Sequence, residues 1–261
     1  MVLKLDPRFP LVWRNTDTLQ LGIDAPPVVM HGLSNAQERM IAALVAGVSR
    51  SGLDMIGRAA GALDGDVETL LETVTPALCE SRVDESPAIT VSGTGPTATR
   101  LVDVLRQSGA RLVDDGAETG LAVIVAHYVI EPEQYGYWLR RDIPHLPVVY
   151  GDALVRIGPI VEPGIGPCLY CLDRHRTDAD PAWPTIASQL WGRSSPAESA
   201  LVASEVAAVA ARLVLGRRGS GSSESIDLDV ATGDTITRRW SPHPQCGCIG
   251  VDANRLRAVR G

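Results

Sequence analysis

The sequence predicts an α/β protein, in which a doubly wound domain with a mostly parallel sheet follows a small winged-helix-like α+β module. Three observations lead to this fold class. Short apolar runs separated by Gly, Pro, Asn and Asp come first, three helical patterns follow them, and the rest of the chain alternates strand and helix patterns. The predicted boundary lies near residue 85, so the module covers residues 1–85 and the second domain residues 86–261.

Composition restricts the classes of function. The chain has 261 residues and a formal net charge of -7, and it carries no run rich in Lys or Arg. Binding to nucleic acid depends on cationic side chains that release counterions, so nucleic acid is not expected as a partner. We find neither an apolar run long enough to cross a membrane nor a secretory signal pattern, so the prediction is a cytoplasmic protein without a membrane partner.

The amino-terminal module is predicted element by element. Residues 11–33 favour two or three short strands, and a helix then begins at Ser34 or Asn35 with Glu38 placed for a capping box. Two further helices are predicted over residues 53–62 and 67–78, and Cys79 is interpreted as a core thiol on the apolar stripe of the last one. Acidic residues outnumber basic ones over these helices, which is the wrong sign for a winged helix that reads DNA.

The second domain begins with the order strand, Gly-rich turn, helix, strand over residues 88–114, and the helix is expected from Pro96 to Gln107 with Gly109 as its stop. Two continuous apolar runs, 120–129 and 146–151, predict central strands joined by a helix over 131–141. The remaining predictions are an extended segment over 153–164, a core helix over 195–218 that begins at Ser195-Pro196, and a hairpin over 226–240 around Thr232-Gly233.

Two cysteine pairs carry the strongest chemical signal. Cys168 and Cys171 have the spacing of half a zinc site, and Cys246 and Cys248 form a second pair near the end of the chain. Four thiolates satisfy a structural zinc ion, which binds tetrahedrally to four protein ligands. A redox Cys-x-x-Cys pair and unliganded buried thiols remain the alternatives, and His175 or His243 is able to replace one cysteine as a ligand.

A glycine turn follows the first strand of the second domain. Gly93 and Gly95 lie between strand and helix, where dinucleotide-binding folds hold phosphate. The sequence then departs from the three-glycine pattern of those folds, because Ala98 replaces the third glycine and Pro96 lacks a backbone N–H. A turn kept for folding is therefore favoured over a nucleotide site. His127 and His145 end predicted strands and are interpreted as core histidines, so no catalytic residue is assigned.

The segments IPHLPV (143–148), GPIVEPGIGPCLYCLDRHRTDADPAWP (158–184), SQL (188–190) and HPQCGC (243–248) resemble the ThiF-like component of thiazole/oxazole-modified microcin cyclodehydratases. The broader relatives are the MoeB/ThiF adenylyltransferases. The resemblance implies a Rossmann-like ThiF-type domain, zinc on the four cysteines, and a turn at Gly93 and Gly95 where active relatives hold ATP. It also implies a leader peptide and a YcaO-type protein as partners, and we expect a homodimer.

The departures from that family suggest a scaffold that does not adenylate. In active adenylyltransferases a stretch rich in Asn, Arg and Gln grips the triphosphate, whereas here Asp114 and Asp115 lead almost directly into the next strand, so ATP binding is not expected. The predicted peptide site is the strand edge formed by Val28, Val29, Met30 and His31, with pockets from the helix over 67–78. The alternative functions are an ATP-dependent adenylyltransferase and a winged-helix transcriptional regulator. The alternative for the strand edge is that the second domain or another copy of the chain covers it.

Overall fold

The structure, a computed structural model, describes residues 2–79, 87–114, 116, 118–217 and 223–248. The chain divides into two compact units, Met1–Asp84 and Glu85–Gly261. No helix among the described residues is long and apolar enough to cross a membrane.

The first unit contains two small antiparallel sheets. Three strands form one sheet in the order β2–β3–β4, and β1 pairs with β5 in the other. The strands are β1 (Val2–Leu3), β2 (Leu11–Trp13), β3 (Thr18–Leu21), β4 (Val28–His31) and β5 (Val48–Ser49). The prediction of short strands over residues 11–33 is therefore confirmed, and the strands β3 and β4 pair in the register Thr18 to His31.

Three helices follow, and their caps set their bounds. They are α1 (Asn35–Ala46), α2 (Arg50–Ala59) and α3 (Asp66–Val74), and a short 3-10 turn, Thr75–Ala77, extends the last one. Ser34 caps α1, and the capping box uses Gln37, whereas the sequence suggested Glu38, because Gln37 is the third helical residue after Ser34. Helix α2 begins earlier than predicted because the Ser49 side chain caps it.

The apolar side of α3 is part of the core of the first unit. Val67, Leu70 and Val74 are buried there, together with residues of the sheet. Pro76 cannot continue an α-helix, so the helix predicted as far as residue 78 ends at Val74, although Leu78 still packs against the same core. Cys79 lies beyond the end of the helix and is exposed, so its interpretation as a core thiol was wrong.

The second unit contains a mixed six-stranded sheet in the order β11–β10–β9–β8–β7–β6. The strands are β6 (Ile89–Ser92), β7 (Leu121–His127), β8 (His145–Tyr150), β9 (Leu154–Ile157), β10 (Glu224–Asp229) and β11 (Thr235–Arg239). Strands β6 to β8 are parallel, as predicted, and the other three pairings are antiparallel, so the sheet is less parallel than expected. The predicted strand over 110–114 contributes one bridge, from Leu112 to Ile89.

Helices cover both faces of this sheet. They are α4 (Pro96–Gln107), α5 (Pro132–Leu139), α6 (Leu169–Ala179), α7 (Trp183–Leu190) and α8 (Ala200–Leu215). Side chains of α4 and α8 share one core with Val123, whereas α5 and α6 share another with Ile124. Strand β7 is thus buried on both faces, which explains its continuous apolar sequence. Ser199 caps α8, so this helix begins after the predicted Ser195-Pro196.

Gly93 lies where β6 turns towards α4, in a position that admits no side chain. Its φ is +122°, and a Cβ atom there would stand 2.4 Å from the carbonyl oxygen of Val125 in β7. This glycine is therefore required by the packing of neighbouring strands, which agrees with a turn kept for folding.

We predict that Gly93→Ala destabilises the protein much more than Gly109→Ala. Gly109 also has a positive φ, but a Cβ atom there meets no atom within 4 Å. The control therefore carries only backbone strain, about 1–2 kcal/mol, whereas the substitution at Gly93 adds a steric overlap worth about 1–3 kcal/mol. Urea unfolding of the two variants measures both free energies, and equal losses would contradict the argument.

Candidate functional site

Four cysteine sulfurs from distant parts of the sequence converge in the second unit. Cys168 is the residue before α6 and Cys171 lies in its first turn, while Cys246 and Cys248 lie in the segment after β11. Their Sγ atoms all lie within 4.8 Å of one another. We call these four residues the four-cysteine cluster.

The separations of the sulfur atoms match a metal site. The distances are 3.8 Å from Cys168 to Cys171, 3.6 Å from Cys168 to Cys246 and 3.4 Å from Cys171 to Cys248. A disulfide would require about 2.05 Å, whereas a tetrahedron with metal–sulfur bonds of about 2.3 Å has edges of about 3.8 Å. The donor set and its spacing therefore fit a four-thiolate metal centre.

Hydrogen bonds and burial shift the thiol pKa values within the cluster in opposite directions. The hydrogen bond from the Cys168 thiol lowers the pKa of Cys171 against the opposing effect of burial, and the backbone N–H of His243 acts in the same direction. The same hydrogen bond raises the pKa of Cys168, and burial raises the pKa of Cys248. Because the thiolate is the form that binds metal, Cys171 is the member most readily available as a first ligand.

A second polar group supports the cluster from outside. His243 is buried, and its Nε2 lies 2.8 Å from a carboxylate oxygen of Asp178 in α6, while its Nδ1 accepts the backbone N–H of Gln245. His175 Nε2 lies 2.9 Å from the carbonyl oxygen of Ser241. These contacts join the carboxyl-terminal segment to α6. Both ring nitrogens of His243 are therefore already engaged, which leaves the cysteines as the natural ligands.

The glycine turn lies at the carboxyl end of β6, as predicted, but a protein side chain lies against it. Thr97 in the first turn of α4 donates its backbone N–H to Glu198 at 2.9 Å. A Cβ atom on Gly95 would stand 2.7 Å from the same carboxylate. Nothing in the sequence linked Glu198 to this turn, because the residue lies about a hundred positions later, just before α8.

The two histidines at strand ends differ in their surroundings. His145 is buried, and burial lowers its pKa, so its interpretation as a core histidine is confirmed. His127 is only partly buried and its Nε2 lies 3.5 Å from the Glu198 carboxylate. It therefore belongs to the polar group beside the glycine turn, which the sequence analysis did not recognise.

Strand β4 lies at one side of its three-stranded sheet. It pairs with β3, and no strand among the described residues pairs with its other edge. Val28 and Met30 are buried, Val29 is half-buried and His31 is exposed. We expected α3 to supply pockets beside this strand. Its side chains Val67, Leu70 and Val74 are buried in the core, so they form no pocket there.

The fold of this chain is similar to that of several solved structures. A heterocyclase in complex with substrate and cofactor has a TM-score of 0.66 at 16% identity, and the match covers 95% of this chain and 39% of that one. The heterocyclase TruD also gives 0.66 at 16% identity, over 98% of this chain and 44% of that one. The chain thus spans about two fifths of these heterocyclases.

A smaller structure matches along its whole length. MccB from E. coli with AMPCPP and the selenomethionine form of MccA gives a TM-score of 0.60 at 12% identity, over 96% of this chain and 100% of that one. No protein-family model matches the chain, and no curated protein matches it. At these identities the likeness shows the fold: the chain has the fold seen in heterocyclase TruD and in MccB.

We propose that the four-cysteine cluster binds one structural zinc ion, and predict that purified protein contains about one zinc per chain. Cys171→Ser is expected to lose the metal and much of the stability, because binding of structural zinc is coupled to folding. Cys79→Ser is the matched control, since Cys79 lies outside the cluster and is exposed. Metal analysis after gel filtration and thermal unfolding measure both effects, and a folded, metal-free wild-type protein would refute the assignment.

Proposed function

We propose that this protein is a non-adenylating scaffold of azoline peptide biosynthesis. In this proposal its first unit, a winged-helix-like module, binds the leader of a precursor peptide, and the protein presents the peptide to a YcaO-type cyclodehydratase. The observation that carries the proposal is the fold shared with heterocyclase TruD across 98% of the chain. Assembly as a homodimer is part of the same proposal.

The chain matches only part of each of the two heterocyclases. The chain spans 39% and 44% of the two heterocyclases, so more than half of each has no counterpart in these 261 residues.

The edge of β4 supports peptide binding by strand addition. An open strand edge offers backbone donors and acceptors that an extended peptide can pair with, while neighbouring side chains set its specificity. Val29 and His31 are the side chains of β4 that are not buried, so they are the ones available to a peptide lying along this edge.

The proposed zinc ion has a structural role in this scheme. It would join the start of α6 to the segment after β11, through the four-cysteine cluster. Because 74 residues lie between Cys171 and Cys246, this link would restrict a long loop of the unfolded chain. No step of peptide presentation needs the metal directly.

An adenylyltransferase is the second candidate, favoured by the match to the whole length of MccB with its nucleotide analogue. Two features of this chain argue against it. Pro96 removes a backbone donor from the first turn of α4, and Thr97 already donates its N–H to Glu198. A DNA-binding regulator has less support, because the net charge of the chain is -7.

We predict that Val29→Asp weakens binding of a leader peptide about tenfold or more, which corresponds to about 1.4 kcal/mol. A carboxylate beside the pairing edge would be desolvated by the added strand. Peptides encoded near the gene are the ligands, and amide NMR titration of the full chain measures affinity and location. Shifts centred on β4 are expected.

Val12→Asp provides the matched control for this experiment. Val12 is half-buried on β2, the strand at the opposite side of the same sheet, and both Val12 and Val29 pair with Gln20 of β3. The control introduces the same charge at the other edge. Equal losses of affinity in the two variants, or shifts confined to β2, would contradict binding at β4.

We also predict that the wild-type protein catalyses no ATP–pyrophosphate exchange and binds ATP with magnesium weakly or not at all. The expected reason is the missing donor at Pro96 and the engaged donor at Thr97. Calorimetry and an exchange assay measure the two quantities. A dissociation constant in the low micromolar range would favour the adenylyltransferase.

A further inference from the structure

The Glu198 side chain lies against the first turn of α4. Its Oε1 accepts the backbone N–H of Thr97 at 2.9 Å. A Cβ atom on Gly95 would stand 2.7 Å from Oε2 and 3.1 Å from Oε1, so only glycine lets the carboxylate come this close. The carboxylate therefore lies where the glycine turn meets the amino end of a 12-residue helix.

The carboxylate is buried, and a histidine lies near its other oxygen. Only 8% of the Glu198 side chain is exposed, and His127 Nε2 lies 3.5 Å from its Oε2. His127 Nδ1 accepts the backbone N–H of Ser195, which leaves the ring proton of the neutral histidine on Nε2, facing Glu198. The carboxylate thus has a donor on each side.

The chemistry of this position explains what the carboxylate does. The amino end of a helix attracts anions, because its first backbone N–H groups have no partner within the helix. Pro96 has no N–H, so Thr97 supplies the first free donor of the turn. A phosphate group arriving there would compete for that donor and would also meet a buried negative charge.

We infer that Glu198 determines the specificity of the glycine turn: its carboxylate takes the position that phosphate occupies in nucleotide-binding turns and closes the turn to nucleotides. The inference deepens the non-adenylating part of the proposed function, and it rests on that proposal in one respect, that the wild-type chain leaves ATP unbound. Peptide binding at β4 does not enter the argument.

The test replaces Glu198 and supplies pyrophosphate as the probe. In Glu198→Ala the Thr97 N–H and His127 lose their partner, and an added anion can take its place. We expect millimolar pyrophosphate to shift the Thr97 amide resonance of this variant and to raise its melting temperature by about 2–4 °C. The wild-type protein is expected to show neither effect.

Two further variants complete the experiment. Glu205→Ala removes one negative charge from α8 itself and is the matched control, which is expected to behave as wild type. Glu198→Ser also removes the carboxylate, and its side chain is too short to take the hydrogen bond of Thr97, so the amide titration can be read in this variant if Glu198→Ala does not fold. A Thr97 shift with pyrophosphate in Glu198→Ser supports the inference, and no shift opposes it.

The outcomes separate this inference from the proposed function. If neither wild type nor the Glu198 variants respond to pyrophosphate, Glu198 does not close the turn, while the scaffold proposal stands. If wild type itself binds ATP with a shift at Thr97, both the inference and the non-adenylating role are wrong. A response of Glu205→Ala equal to that of Glu198→Ala would reduce the effect to net charge and overturn the inference.

Discussion

The convergence of four cysteine sulfurs is the contact that brings the most distant segments of the second unit to one point. Cys168 and Cys171 lie at the start of α6, which packs on one face of the sheet, and Cys246 and Cys248 lie in the segment that follows the β10–β11 hairpin. Sulfur atoms this close cannot all remain as thiolates without a cation, because their charges repel. A bound metal would therefore stabilise both the helix and the hairpin, and the contacts of His243 with Asp178 and of His175 with Ser241 also join α6 to the segment after the hairpin.

The glycine turn has a packing requirement at one glycine and the proposed exclusion of a ligand at the other. Gly93 is required because β7 lies too close for a side chain, and Gly95 leaves the space that Glu198 fills. In the proposed role of Glu198, its carboxylate takes the place of an anion at this turn.

The two units divide the proposed work. The first unit has a small core and an open strand edge at β4, where backbone groups are available for pairing. The second unit has helices on both faces of a larger sheet and carries the four-cysteine cluster. The proposed function assigns peptide recognition to the first unit, and the match to heterocyclase TruD includes both units.

The sequence by itself determined the elements whose signals are local. The apolar run of β7 predicted a strand buried on both faces, and Pro96 and Gln107 bounded α4 correctly. It also identified the four cysteines, because their short spacings are visible within each pair. Only the tertiary structure decided that the two pairs meet, that Cys79 is exposed, and that Glu198 reaches Thr97. These facts depend on contacts between residues far apart in the chain, and no periodicity or spacing along the sequence encodes such distances.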